Sequence, residues 1–522
     1  MDFNKIKLLI NTIKYLKLQQ IYYRILFGLR KKFVSKKYND QILEEIEPLI
    51  LPNTIDKNIG YLGGFEFSFL NINHTFKYPI DWNYSDYGKL WTYNLNYFDF
   101  LNQPDIDQTE ALLLINDFID RSMELEDGLE PYPISLRGIN WIKYLSEKKI
   151  RDKKINTSLF NQYMRLLDNL EYHILGNHLL ENGMSLLFGA YYFKNDVLYL
   201  KAKKIIEIEL NEQVLYDGAH FELSPMYHQI ILDRLLDCIT LLENNFWKKN
   251  TALLSFMKVK ATLMLSWLTK ITFSNGNIPM VNDSAYGIAP NTSAIETYGD
   301  TLEIHSHDMK LSDSGYRIFK DDSYELFIDV GEVGPMYQPG HAHADTFSFV
   351  LHQQKPLIVD PGLSTYNQGE VREEQRSTYS HNTVTLHNEN SSEVWAGFRV
   401  ANRARVTILR DEENTLIASH NGYKKKGVKH TRSFDINEKE ICIKDFLNNA
   451  EGQAHFHFHP DCNVQVSSLK SEVQIEDVKM SFDGAHKIEQ YSYRFSNGYN
   501  NRIEGLKITV TFTNLLETKI KV

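Results

Sequence analysis

From roughly residue 105 to 275, apolar residues return every three or four positions, in segments such as "TEALLLINDFIDRSMEL", "NTSLFNQYMRLLDNLEYHIL", "MSLLFGAYYF" and "YHQIILDRLLDCITLLENNF". That period gathers the apolar side chains on one face of each helix and obliges every helix to bury that face on a neighbour. After about residue 310 the period shortens. Runs such as "YELFIDVG", "TFSFVLHQ", "PLIVDPG", "ARVTILRD" and "GLKITVTFTN" are β-type, and Asn, Asp, Gly and Lys turns part them. An α+β multidomain chain satisfies both halves: a helical array, then an antiparallel β-sandwich. The join falls in the loop-rich "GNIPMVNDSAYGIAPNTSAIETYGD". The expected boundaries are 1–37 for an N-terminal arm, 38–305 for the helical domain and 306–522 for the sandwich. The cleft between the two halves is where a large substrate would sit.

A chain of 522 residues outgrows a single hydrophobic core, which agrees with this division. Its formal net charge of −10 argues against general binding of nucleic acid, whose affinity comes largely from neutralising phosphates. The charge is unevenly spread. Residues 1–37 hold ten Lys or Arg against one acid, a local +9 that leaves the remainder at −19. This amphipathic arm is too often interrupted by lysine to be a membrane span, and it shows no apolar secretion signal. It is expected to lie on an anionic membrane surface or on an acidic partner, the protein's own body included. The three cysteines, Cys238, Cys442 and Cys462, form no CxxC pair and read as free thiols of a reducing compartment. The expected location is therefore cytoplasmic, with peripheral contact at the inner face of the membrane.

The chemistry concentrates in a few strings. "GHAHADTFSFVLHQQKPLIVDPG" places His341 and His343 two apart, on one face if the stretch is a strand. His343, Asp360 and His381 follow at spacings of 17 and 21 residues, suited to three adjacent strand ends. A zinc site of two histidines and one carboxylate is one reading, and separately satisfied core histidines are the other. "GNHLLENGMS" carries Asn177, His178, Glu181 and Asn182, and "DGAHFELSPMYHQ" carries Glu222, Ser224, Tyr227 and His228. Polar groups so dense among buried helices must be paired or used. "PYPISLRGINWIKYL" adds Arg137, Asn140 and Trp141, a cation, an amide and a ring that suit a sugar carboxylate and equally suit helix packing. "HFHFHP" puts His455, His457 and His459 on one strand face, where sheet histidines are commoner than a second metal site.

In order, RxxNW, NHxxEN, ExSPxYH, the "VNDS" loop, GHxHxDxxSF, DPG and HNT resemble the heparinase II/III superfamily of polysaccharide lyases and its alginate lyase relatives. The resemblance runs from about Arg137 to His387 and implies an incomplete (α/α) toroid before the β-sandwich, with the active site between them. It implies that Asn177 and His178 hold and neutralise a uronate carboxylate, with Glu181 orienting them. Tyr227 and His341 would be the catalytic acid and base, and His343, Asp360 and His381 the zinc ligands. Tyr366 and Arg376 would join Arg137, Asn140 and Trp141 as substrate contacts. The implied reaction removes the C5 proton of a uronate and expels the 4-O-linked sugar, acts on an acidic uronate-containing polysaccharide, and needs no organic cofactor. Two alternatives remain at this level: a C5-epimerase that returns the proton to the opposite face, and a non-catalytic polysaccharide-binding or assembly protein.

Overall fold

The computed structural model describes residues 3–33, 36–42 and 45–522, so Met1, Asp2, Val34 and Ser35 of the basic arm and Leu43 and Glu44 lie outside the described residues. The arm forms two helices, α1 (Phe3–Ile13) and α2 (Leu18–Phe33). A three-stranded sheet follows, β1 (Tyr61–Gly63), β2 (Glu66–Phe69) and β3 (Ile72–Thr75). The helical periodicity does not announce it, because its strands are only three or four residues long and its turns run through Phe65, Leu70 and Asn71 at positive φ.

The helical array comprises α3 (Lys89–Tyr97), α4 (Gln108–Arg121), α5 (Pro131–Glu147), α6 (Lys153–Asp168), α7 (Gly176–Phe193), α8 (Asp196–Gln213), α9 (Pro225–Asn244), α10 (Thr251–Ile271) and α11 (Thr292–Thr301). Its odd-numbered members pack on one another in chain order, α3 on α5, α5 on α7, α7 on α9 and α9 on α11. The even-numbered members pair with their chain neighbours and with each other, α4 on α6 and α8 on α10. This is a two-layered array of hairpins. The sequence explains the layering: α5, α7 and α9 are buried on almost every face, whereas α6 and α8 keep a charged outer stripe.

The C-terminal half holds two sheets. One is four-stranded and antiparallel, in the order β4 (Tyr316–Lys320), β5 (Glu325–Asp329), β6 (Phe349–His352) and β7 (Pro356–Ile358). The second, larger sheet contains β8 (Val384–Thr385), β11 (Val406–Asp411), β12 (Thr415–His420), β13 (His430–Asn437), β14 (Glu440–His457), β15 (Val464–Ser467), β16 (Glu472–Ile475), β17 (Val478–Ser496) and β18 (Arg502–Lys521). A short ribbon of β9 (Val394–Trp395) and β10 (Arg399–Val400) stands apart.

The four-stranded sheet is the middle layer of the molecule. Leu326, Ile328, Phe349 and Leu351 point into the sandwich core with Phe434, Phe456 and Val510 of the large sheet. The alternate residues Phe327 and Val350 pack with Ala219, Trp267 and Phe273 of the helical half. Both faces being covered, β5 and β6 read as continuous apolar runs and not as alternating ones. The loops entering and leaving this middle sheet therefore lie against the helical array, and they carry the site.

Candidate active site

Helix α7 starts at Gly176, after Leu175 has taken a φ of 66° and Gly176 one of 61°. A Cβ on Gly176 would come 2.5 Å from Glu222 Oε1, so only glycine lets that carboxylate approach the helix end. The Asn177 N–H donates to Glu222 Oε1 at 2.9 Å, an anion satisfying an N-terminal donor of the helix. The Asn177 side-chain amide has no protein partner among the described residues. His178 pairs its Nδ1 with Glu171 Oε1 at 3.0 Å and packs its ring on Tyr132. Burial pulls the His178 imidazole down, but the Glu171 charge and hydrogen bond outweigh it and leave its pKa raised. Glu171 also accepts from Asn182 Nδ2 at 3.0 Å, which fixes the carboxylate.

Helix α9 begins with Ser224 as its N-cap and Pro225 at the first position. The Ser224 hydroxyl accepts from the Tyr227 N–H at 3.3 Å and donates to the Asp283 carbonyl at 2.7 Å, so the SPxY string sets the first turn and aims Tyr227. The Tyr227 ring stacks on His341, centroids 3.9 Å apart, and its hydroxyl lies 3.1 Å from the Tyr366 hydroxyl. Burial, then the neighbouring Tyr499, holds the Tyr227 phenol well above its usual pKa, against the opposing hydrogen bond from Tyr366. Tyr227 is neutral in the resting protein.

Asp283 is the hub, and it comes from the loop between α10 and α11. It accepts from Arg372 Nη1 and Nη2 at 2.5 and 2.7 Å, and it meets His341 Nδ1 and His343 Nε2, each at 2.9 Å. Burial resists its ionisation, yet Arg372 and the two imidazoles outweigh burial and hold the carboxyl well below the usual carboxylate range. Its neighbour Asn282 accepts from the His343 N–H at 2.9 Å and donates to the Leu223 carbonyl and the Tyr316 hydroxyl, which joins the histidine loop to the loop before α9. With Asp283 taking the proton of Nδ1–H, His341 presents Nε2 as an acceptor. Glu222 Oε2 stands 3.4 Å from that nitrogen.

On the other side of Asp283, His343, Asp345 and His381 bring one ligand atom each to within 4.8 Å of one another, all three buried. Among the described residues this is the one such group. Its three free atoms, His343 Nδ1, Asp345 Oδ2 and His381 Nε2, are buried with no hydrogen-bond partner. Two imidazole nitrogens and a carboxylate oxygen, all unbonded and converging on one point, are the ligand set of a divalent metal of the zinc type. Asp283 holds the outer nitrogen of His343, and Asp360 Oδ2 that of His381 at 2.7 Å, as metal-bound histidines require.

Several expectations change. The His341–Asp345 stretch is not a strand but the loop preceding β6, and the geometric trio takes Asp345 where spacing suggested Asp360, which stands one step further out. Glu181 does not orient Asn177 or His178. It is buried and paired with Arg234 Nε at 2.9 Å, and Glu171 and Glu222 take the place expected of it. Arg137 spends its guanidinium on Gln162, the Asn96 carbonyl and the Gly128 carbonyl, Asn140 donates to Asp99 and the Tyr97 carbonyl, and Trp141 is packed edge-on against Phe98 and Phe118. All three are helix packing. Arg376 clamps the Ala342 carbonyl, between the two histidines, and the Gly397 carbonyl, so it braces the loop and does not face the cleft. Tyr366 does stand beside Tyr227 and His341. Among the "HFHFHP" histidines, His455 is bonded to Thr385 and Thr509, and His457 to Asn382.

This composite of two half-sites matches known proteins. The heparinase II/III N-terminus family model matches residues 134–312, and the heparinase II/III-like C-terminal model matches residues 305–512. The chain belongs to the heparinase II/III family. Heparin-sulfate lyases from Bacteroides stercoris and Pedobacter heparinus are each 24% identical to this family member, over 55% and 60% of its length. It spans about half of theirs, 46% and 51%. Among solved structures, a heparinase III superposes with a TM-score of 0.68 at 14% identity, covering 96% of this chain and 89% of that one. A heparan sulfate lyase from Pedobacter heparinus superposes with a TM-score of 0.56 at 18% identity, covering 88% and 81%. The family fold is thus shared: a helical N-terminal region followed by an antiparallel β-sheet domain.

Proposed function

We propose that this protein is a polysaccharide lyase that cleaves an acidic, uronate-containing polysaccharide of the glycosaminoglycan type by β-elimination. The observation that carries the reading is the stacked pair of Tyr227 and His341, one from each half of the molecule, at the junction where Asn177 and His178 lie. The relatives are heparin-sulfate lyases, which supports a glycosaminoglycan over other uronate polymers.

A uronate C5 proton is weakly acidic because its removal loads a second negative charge on the carboxylate, so donors must be placed where that charge develops. Asn177 supplies an unengaged amide at a helix N-terminus, and His178 supplies a cation sustained by Glu171. His341 Nε2 takes the C5 proton, and the resulting imidazolium lies between Asp283 and Glu222. The electron pair released at C5 forms the C4–C5 double bond as the C4–O bond breaks, and neutral Tyr227 gives its proton to the departing oxygen. His341 then returns a proton to Tyr227. A zinc ion bound by His343, Asp345 and His381 would add fixed positive charge beside this centre and pin the loop that carries His341.

Because the two rings stack, they approach a substrate from one side. That arrangement suits elimination with proton removal and leaving-group protonation on the same face, and it disfavours inversion at C5, which needs one group above the sugar ring and one below.

The test is to incubate the protein with a panel of uronate polysaccharides in deuterated water, following the ultraviolet absorbance of the unsaturated uronate together with deuterium at C5. Absorbance that falls roughly a hundredfold or more in Tyr227→Phe is the expected result. C5 deuterium without absorbance would replace elimination by inversion, and binding without either signal would reduce the protein to a polysaccharide binder.

His178 gives a pH signature. Its raised pKa keeps the imidazolium to higher pH than an ordinary histidine would, so substrate affinity should weaken as pH rises past that raised value. In His178→Gln the KM should be higher and its pH dependence flattened, whereas a KM–pH profile that survives in this variant would remove His178 from carboxylate binding.

A further inference from the structure

The N-terminal hairpin has two faces. The inner face of α2 is anchored on both halves of the protein. Gln20, fully buried, donates to the Ile174 and Tyr337 carbonyls, Arg24 donates to the His173 carbonyl, and Arg30 to the Asp168 carbonyl. Lys17 pairs with Glu212, and Tyr23 stacks on Tyr172. From α1, Thr12 accepts from the indole N–H of Trp395, and Tyr15 packs under Arg403. The hairpin is therefore part of the folded body and not a loose tail.

Its outer face carries an exposed apolar stripe. Leu18, Tyr22, Ile25 and Leu29 stand at spacings of four, three and four residues and are 84%, 61%, 60% and 53% exposed. That spacing puts them in one stripe opposite Gln20. On α1, Phe3 and Ile10 are 79% and 62% exposed, Lys7 shares their face opposite the anchored Thr12, and Lys5 is exposed as well; Lys14, just past the helix, is tied to Asn402. No Asp or Glu occurs from residue 3 to residue 37. An outward apolar stripe on a rigid hairpin, flanked by lysines and free of carboxylates, has the composition of an interfacial amphipathic element.

The geometry points to this hairpin as a docking surface for an anionic lipid bilayer, with the apolar stripe entering the headgroup boundary and the lysines meeting lipid phosphates. Charge decides between this and a second copy of the chain. An isologous dimer through the same face would bring the α1 lysines of two copies together with no carboxylate on the hairpin to offset them, whereas an anionic membrane supplies the missing negative charge.

Co-sedimentation of the full chain with vesicles of phosphatidylcholine alone, and with about a third phosphatidylglycerol, tests this. Binding is expected to the anionic vesicles, to weaken with added salt, and to fall at least about tenfold in Leu18→Asp/Ile25→Asp. Each lysine removed, as in Lys5→Gln or Lys7→Gln, should cost about fivefold. The substituted side chains are exposed, so unchanged thermal unfolding of the variants shows that the fold is kept. Failure to bind anionic vesicles overturns the proposal, as does binding that ignores these variants. A dimer of the wild type that Leu18→Asp/Ile25→Asp converts to monomer, without vesicle binding, assigns the surface to a second copy instead.

Discussion

Asp283→Asn should lower the rate of elimination by about 10³- to 10⁴-fold while leaving the protein folded at room temperature. The argument is one of hydrogen-bond polarity. Asp283 accepts from His341 Nδ1, and that bond selects the tautomer whose Nε2 can receive a proton. An amide in its place can turn its NH2 toward Nδ1, which moves the imidazole proton to Nε2 and leaves no base. The same substitution also strips the buried Arg372 guanidinium of its counter-charge, and breaking a buried pair from one side costs about 3–5 kcal/mol. The carboxylate's depressed pKa gives the sign of the pH effect: its contribution to stability is present above the carboxylate pKa of the unfolded chain and is lost as pH falls through the lower folded value. Activity and stability are separable. Removing the orphaned cation as well, in Asp283→Asn/Arg372→Met, should recover part of the lost unfolding free energy in denaturant titration and none of the rate. A double variant that regains activity would show that Asp283 matters through packing alone, and would remove it from the tautomer argument.

Why Asp283 was hard to read shows where sequence reasoning reaches its limit. Helices α4 and α6 to α10 follow from apolar periodicity, because that period records which face is buried, and β5 to β7 of the middle sheet follow from short apolar runs bounded by turn residues. The site is a different kind of information. Asp283 sits in "VNDS", a string noticed for its resemblance but without a periodic or spacing cue, and its partners are 58, 60 and 89 residues away. Glu171 and Arg372 lie in strings with no cue at all. Arg137, Asn140 and Trp141 show the converse error: a cation, an amide and a ring on one helix look like a sugar site, yet Arg137 is fully buried and all three of its nitrogens are engaged, by an amide and two carbonyls. Sequence tells that such groups must be satisfied, not by whom. For Asp345 and Asp360 the alternation inferred for a strand fails, since His341–Asp345 is a loop whose course Arg376 and Thr378 set through the Ala342 and Ala344 carbonyls.

The second large effect concerns the metal group. Gently purified protein should carry close to one equivalent of zinc by mass spectrometry, and His343→Ala, Asp345→Ala and His381→Ala should each reduce it to under about a tenth. Asp360→Asn, which alters the carboxylate that holds His381 while keeping an oxygen for the Gly362 N–H, should weaken affinity by about 10- to 100-fold without abolishing it. That contrast distinguishes the trio His343, Asp345 and His381 from one containing Asp360. Acidity gives an independent check. Burial and then the nearby Asp360 charge lift the Asp345 carboxyl to about 6, against the opposing pull of His381, while burial lowers His343 to about 4. Metal binding must displace a proton from Asp345 and from His381, where burial is outweighed by the Asp360 charge and hydrogen bond and the pKa is raised, but meets none on His343. Affinity should therefore fall as pH is lowered through the raised His381 value and on through about 6. Stability of the metal-free protein moves the other way. A carboxyl whose folded pKa is raised favours the fold while protonated and loses that contribution as pH rises through the folded value. Adding zinc should therefore raise the thermal midpoint more at about pH 7.5 than at about pH 5. Retention of zinc by His343→Ala together with its loss in His457→Ala would move the metal to the "HFHFHP" strand. It would also leave three converging, unbonded buried atoms to be explained by something other than a metal.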